Sequence, residues 1–342
     1  MRILHIMLSK ELGGIQEAFL NYTEAFNYLK YETICCISTG AEVKNFIPDT
    51  TKTKEIHNFS EYDPFAIIKL KRIISEYNPD LIITHGNRAN RIAIRAKKNK
   101  PIANVLHRYK FKGIDKNDLI MCVTKHLLNE CIKNNIPREK LVYIPNFLIK
   151  NSGIANHPNN NVIGFLGRFV PEKGLDLLID ALNILSKKGI NFKAIIGGDG
   201  IEKNKTTDKI NEYSLNNNVS LLGWIDNKEE FYNKIDILCV PSRWESFGFV
   251  ILEAMDRGKA IISTKTEGPS EIIKDGENGI LCDINAVSLA GAIESLIKDK
   301  ILLSKLSINA KEYVKNYYLP AVAEKIDIIL KDFISKSSDS SL

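Results

Sequence analysis

Short apolar runs alternate with amphipathic stretches along the whole chain, a pattern that predicts parallel sheets layered with helices. In the first half the apolar runs predict strands at Arg2–Met7, Glu32–Ser38, Leu81–Thr84, Ile102–Leu106, Leu119–Val123 and Leu141–Ile144. Helical spacing fills the intervals at Ile15–Leu29, Pro64–Tyr77, Asn90–Lys98 and Lys125–Asn134. The segment Asn151–Asn161 is polar, rich in breakers and unpatterned, and reads as a linker. A second series follows, with strands at Val162–Leu166, Phe192–Ile196, Val219–Leu222, Ile237–Val240, Ala260–Ser263 and Ile280–Cys282. Its helices are predicted at Leu175–Lys187, Lys203–Asn216, Glu229–Asn233 and Phe247–Arg257, the last followed by Gly258 where a left-handed C-cap is wanted. Long helices close the chain, and the tail Lys336–Leu342 is expected to be disordered. The predicted architecture is α/β, with two doubly wound Rossmann-like domains in tandem at residues 1–150 and 160–318. The carboxyl ends of the two sheets are expected to face a central cleft.

A chain of 342 residues with 44% hydrophobic and 26% charged residues is ordinary for a globular protein of two domains. No apolar run approaches the roughly 20 residues of a membrane span, and Met1–Leu8 reads as a first strand rather than a signal peptide. A cytoplasmic chain is expected. The six cysteines (35, 36, 122, 131, 239 and 282) lack C-x-x-C spacing and several lie in apolar runs, as buried thiols do. Charge changes the picture more. Residues 1–150 carry 24 Lys and Arg against 15 Asp and Glu, whereas 151–342 carry 23 against 26. Arg88, Arg91 and Arg95 are spaced to line one helix face, which suits anionic lipid headgroups at about 1 kcal/mol per basic side chain. No aromatic RNA platform or recognition helix is present, so a nucleic-acid partner is not expected.

The chemistry concentrates in Trp244–Met255. Glu245 lies in a Ser/Gly turn after an apolar run, and Glu253 lies eight positions on within an apolar stretch. A turn opening a helix offers free N–H groups to a phosphate, while flanking carboxylates repel phosphate and are suited to accept from hydroxyls. A nucleotide diphospho-sugar has that layout. The plain alternative pairs Glu253 with Arg257 at i,i+4. Gly13 and Gly14, between the first strand and first helix, let backbone approach a ligand, and G-x-G-x-x-G is absent. Arg168 and Lys173 follow the first strand of the second domain and match a pyrophosphate, with salt bridges to Glu172 or Asp176 as the alternative. Trp224 and Ile225 follow another strand, where their backbone is placed to read a nucleobase edge; packing is equally open to Trp224. His107 and His85 end successive strands on the cleft side, as candidates to take a hydroxyl proton or bond a sugar. Lys112 suits an anionic acceptor. Without a D-x-D triplet, and without a P-loop, G-x-S-x-G or H-E-x-x-H, neither a metal nor another cofactor is expected.

GRFVPEKGLDLLIDAL, the GWID turn, PSRWESFGFVILEAM and GPSEIIKDGENGILCD resemble the second domain of retaining glycosyltransferases of family four, of the GT-B fold. GGIQEAF, the strand-end His107 and the VYIPN entry into Asn146 resemble its first domain, so the resemblance covers essentially the whole chain. It implies that Arg168 and Lys173 hold the pyrophosphate of a UDP-sugar and that Glu253 binds the ribose diol. Glu245, with the backbone of Phe247, Gly248 and Phe249, would hold the donor sugar. Gly14 would lie beside phosphate and acceptor, with Gly13, His85 and Lys112 on the acceptor side, and His107 would contact the sugar near the reacting carbon. The last helix, at 319–334, would return to the first domain. The activity implied is transfer of a hexose or N-acetylhexosamine to a lipid-linked or lipopolysaccharide-type glycan by a peripheral protein of the inner membrane face. An epimerase or hydrolase of the same fold is the alternative.

Overall fold

The computed structural model describes residues 1–11, 13–149, 151–153 and 160–339, with side chains to 336. It divides into two compact units, Met1–Lys150 with Tyr317–Leu342, and Asn151–Asn316.

In the first unit the chain runs β1 (Arg2–Met7), α1 (Gly14–Tyr28), β2 (Glu32–Ser38), β3 (Lys52–Ile56), α2 (Pro64–Tyr77), β4 (Leu81–His85), α3 (Asn87–Ala96), β5 (Ile102–Leu106), β6 (Leu119–Cys122), α4 (Lys125–Lys133) and β7 (Leu141–Tyr143). The strands form one parallel sheet in the order β3-β2-β1-β4-β5-β6-β7. Helices cover both faces, so the central strands are buried residue after residue and read as continuous apolar runs. β3 is different. Its Lys-Thr-Lys-Glu sequence carried no apolar signal, and it was not among the predicted strands. As the edge strand it needs none, since charged residues there blunt further pairing.

The second unit runs β8 (Val162–Leu166), α5 (Leu175–Lys187), β9 (Lys193–Gly197), α6 (Lys203–Glu212), β10 (Val219–Gly223), α7 (Lys228–Asn233), β11 (Ile237–Val240), α8 (Phe249–Asp256), β12 (Ala260–Thr264), α9 (Glu267–Ile272), β13 (Ile280–Cys282), α10 (Ala286–Lys298) and α11 (Lys300–Tyr313). Its parallel sheet has the order β10-β9-β8-β11-β12-β13. Both sheets therefore reverse direction at one place, between β1 and β4 and between β8 and β11. In doubly wound sheets ligands bind at that switch point, beyond the strands' carboxyl ends.

After α11, α12 (Leu319–Asp339) returns to the first unit. Leu319, Val322, Ala323, Ile326 and Leu330 join its core with Tyr22, Phe26 and Ile3. The Tyr31 hydroxyl donates to Asp327, and Leu148 N donates to Tyr317 O at 2.8 Å. The helix runs to Asp339, past Lys336 where disorder was expected; the rest of that tail lies outside the described residues. The expected linker Asn151–Asn161 falls largely on 154–159, also outside them. All six cysteines are buried thiols.

Candidate active site

Glycine caps four helices, α1 (Gly13), α3 (Gly86), α5 (Gly174) and α8 (Gly248), and in none does a side chain take the free N–H groups. Those four follow β1, β4, β8 and β11, the strands that flank the two switch points. By contrast Asp63, Thr124, Asn227, Asn285 and Asp299 cap α2, α4, α7, α10 and α11 through their side chains. The helix starts beside each switch point are thus left open to a ligand, while others are closed by protein.

In the second unit the loops after β8 and β11 touch. Gly174 has φ +64, and a Cβ there would sit 2.0 Å from the carbonyl oxygen of Pro241. Arg243 fastens the same junction, donating to both carboxylate oxygens of Asp176 at 2.7 Å and to Pro171 O at 3.0 Å. That pairing holds the Asp176 carboxyl below its usual pKa. Lys173 donates to the Glu245 carboxylate, so neither Glu172 nor Asp176 takes it. Arg168, at the end of β8, is exposed and makes no ion pair among the described residues. Gly268 N donates to Glu245 O at 3.0 Å, and a Cβ on Gly268 would lie 2.4 Å from Phe247 N. Backbone thus packs tightly behind Glu245. The predicted helix start at Phe247 is corrected: the left-handed Gly248 (φ +98) precedes the first helical residue, Phe249. Phe247 is buried, with its ring centroid 5.8 Å from that of Phe249.

Glu253 is buried, and its carboxylate is held by Lys228 and by the Tyr232 hydroxyl at 2.9 Å. The i,i+4 pair with Arg257 does not form. Arg257 turns instead to Glu253 O at 3.0 Å and to the Glu229 carboxylate at 3.1 Å. Lys228 and Tyr232 were not singled out from sequence, although their four-residue spacing puts both on one face of α7. Trp224 is exposed beyond β10, and Ile225 packs on β9, where a Cβ on Gly197 would lie 2.5 Å from Ile225 Cγ1. Gly198 N donates to Gly223 O at 2.7 Å, which fixes the start of this turn. The turn leads directly into Lys228, and so to Glu253.

In the first unit His85 and His107 are both buried, with His85 Nδ1 3.1 Å from His107 Nε2. His5, on β1, stacks on Phe19 at 4.2 Å and meets the His85 ring edge-on at 4.8 Å. Nε2 of His85 is buried and without a partner. Proton placement on His85 Nδ1 leaves a bare lone pair at Nε2; the other tautomer leaves an unpaired buried N–H. His85 therefore donates, His107 Nε2 accepts, and the His107 proton rests on Nδ1. Burial, with Arg108 adding to it, pushes the His107 pKa down to about 3. Of the two roles expected of this imidazole, taking a hydroxyl proton or bonding a sugar, burial favours the second, as a neutral hydrogen-bonding group. Lys112 is exposed, and no hydrogen bond joins it to either imidazole among the described residues. Gly14 opens α1. Gly13 has φ 171, extended backbone that any residue adopts, and a Cβ there would meet only Gln16 Oε1 at 3.5 Å. Among the described residues no group of three or more His, Cys, Asp and Glu is placed to hold a metal ion, and no helix is long and apolar enough to cross a membrane.

This architecture is that of the two-domain GT-B glycosyltransferases. The Anabaena HepE protein, solved in complex with UDP and glucose, superposes with a TM-score of 0.85 at 20% identity, covering 96% of this chain and 99% of that one. Residues 150–313 match the family described as glycosyl transferases group 1. A lipopolysaccharide core biosynthesis glycosyltransferase of Rhizobium meliloti is 26% identical over 95% of this chain and 100% of its own length. An uncharacterised glycosyltransferase of Methanocaldococcus jannaschii is 37% identical over 61% of this chain, which spans 58% of that relative's length.

Proposed function

We propose that the chain is a retaining, metal-independent glycosyltransferase. It moves a hexose or N-acetylhexosamine from a UDP-sugar to a lipid-linked or lipopolysaccharide-type glycan at the inner face of the cell membrane. The second unit binds the donor and the first unit the acceptor. One observation carries this reading: Glu245 and Glu253, each held by a lysine, stand around the open helix starts at the second unit's switch point. Arg168 is free to grip the pyrophosphate, with Lys173 beside it. Glu253, fixed by Lys228 and Tyr232, accepts from the ribose diol, while the turn at Trp224 and Ile225 meets the base. Glu245 and the backbone of Phe247, Gly248 and Phe249 hold the sugar. The UDP and glucose held by the solved neighbour, and the glycan pathway of the Rhizobium relative, support the substrate classes.

On this reading the residues stabilise the departing diphosphate and position the acceptor; none supplies a covalent nucleophile. Neutral His107 offers Nδ1–H to a sugar oxygen near the reacting carbon, with Gly13, Gly14, His85 and Lys112 on the acceptor side.

The test separates the two glutamates. Glu253→Gln should weaken UDP and UDP-sugar alike in calorimetry, whereas Glu245→Gln should leave UDP affinity near wild type and lower turnover. Identical behaviour of the two variants towards UDP sinks the division of labour. An inverted anomer in the product, read by NMR, sinks retention, and acceptor-independent UDP release favours a hydrolase.

A further inference from the structure

The loop from β3 into α2 leaves large apolar side chains in solvent. Phe59, Tyr62, Phe65 and Ile68 keep 78%, 58%, 79% and 64% of their surface exposed. Single exposed apolar residues are ordinary, but four within ten positions form a patch. The loop is held firmly. Asp63 accepts from Phe59 N at 3.0 Å with one carboxylate oxygen, and from Phe65 N and Ala66 N at 2.9 and 3.1 Å with the other. One buried carboxylate thus caps α2 and fixes the aromatic turn against it.

The basic face of α3 packs against this turn. Arg88 donates to Asn58 Oδ1 at 3.2 Å, Arg91 pairs with Glu61, and the Arg95 guanidinium lies 4.6 Å from the centroid of the Tyr62 ring. Arg88 and Arg95 meet an amide, a carbonyl and a ring, not a carboxylate, so their charge is left uncompensated. On α2, Lys69 and Lys71 are exposed with no ion pair among the described residues, while Arg72 pairs with Glu76 at 2.6 Å. Protruding aromatics rimmed by unbalanced cations complement an anionic plane with an apolar interior. That combination describes a lipid surface better than a protein partner or a second copy of this chain.

We infer that Phe59, Tyr62, Phe65 and Ile68 form an anchor that enters the headgroup boundary of an anionic membrane, with Arg88 and Arg95 gripping phosphates at its rim. This rests on the reading that the acceptor is met at the membrane. The turn follows a strand's carboxyl end, the same sheet edge that carries His85 and His107. A glycan carried on a lipid would therefore meet the edge that the anchor brings to the surface.

The experiment uses the full chain with vesicles of phosphatidylcholine, alone or mixed with phosphatidylglycerol. Wild type should co-sediment with the anionic vesicles and be released by salt. The double variant Phe59→Ser/Phe65→Ser, at positions too exposed to threaten folding, should bind roughly tenfold more weakly or worse, with UDP affinity intact. Phe65→Trp should add a fluorescence component quenched by brominated acyl chains. Undiminished binding of the serine variant, with no added quenching, overturns the anchor while leaving the membrane reading standing. No binding by wild type overturns both. A wild-type dimer that the serine variant turns into a monomer assigns the patch to a second copy and overturns the anchor.

Discussion

His85 Nδ1 and His107 Nε2 lie 3.1 Å apart inside the first unit, and the buried, unpartnered Nε2 of His85 decides which ring donates. The His107 proton is consequently expected on Nδ1 and its Nε2 lone pair engaged. Nitrogen NMR of labelled protein should give a pyrrole-type Nδ1 and a pyridine-type Nε2 for His107 at pH 7. Turnover should show no inflection near 6.5 from this ring, because burial has moved its protonation far lower. The reverse tautomer, or a neutral-range inflection abolished by His107→Asn, contradicts the assignment.

Acid should weaken the first unit. His5 and His107 have folded pKa values pushed down to about 3, and His85 is also well below 6.5, all chiefly through burial. The unfolded chain then binds protons that the folded chain refuses, so stability falls as pH drops from 6.5 towards 3. The slope is about 1.4 kcal/mol per pH unit for each imidazole. Urea midpoints measured from pH 7 to 5 should fall, and His5→Phe should flatten the decline by roughly a third. A midpoint unchanged over that range rules this out.

Lys173 and Glu245 should couple. Replacing either alone leaves the other's charge without its partner, so the losses in donor affinity for Lys173→Met and Glu245→Gln should not add. An interaction of roughly 0.5–3 kcal/mol is expected in the double-mutant cycle. Simple additivity in calorimetry would show that the pair is incidental.

Two glycines should respond oppositely to alanine. At Gly174 the left-handed φ and the 2.0 Å approach to Pro241 O leave no room, so Gly174→Ala should cost at least about 2 kcal/mol in urea denaturation. Gly13→Ala should fold within about 0.5 kcal/mol of wild type, since neither backbone nor space resists it. If that stable variant transfers sugar poorly, the missing Cβ matters to a ligand; full activity removes Gly13 from the site.

The buried strands were legible because a parallel sheet covered on both faces demands unbroken apolar runs such as Leu81-Ile82-Ile83. The predicted start of α2 at Pro64 is the observed one, with Asp63 as its cap. β3 was not legible, because an edge strand of lysines and threonines resembles a loop in composition. Glu245, Glu253 and Lys173 stood out by their chemistry, but the pairing of Lys173 with Glu245 did not, nor did Lys228 and Tyr232. Lys173 lies 72 positions from Glu245 and Lys228 lies 25 from Glu253, and spacing along a chain says nothing of pairing between elements. The protonation of His107 depended on His85 and on burial, which a strand-end histidine does not advertise.

The crossing of α12 onto the first unit sets an order of events during synthesis. The second unit is one continuous stretch and can close as soon as Asn316 has left the ribosome. The first unit waits, although it is made first, for Leu319–Leu330 to cover Tyr22, Phe26 and their neighbours. At roughly 5–20 residues per second, the newborn chain carries that uncovered apolar seam for about fifteen to sixty seconds. For this protein the window of exposure to chaperones and to aggregation opens when Tyr22 and Phe26 emerge and closes only once Leu319–Leu330 have followed.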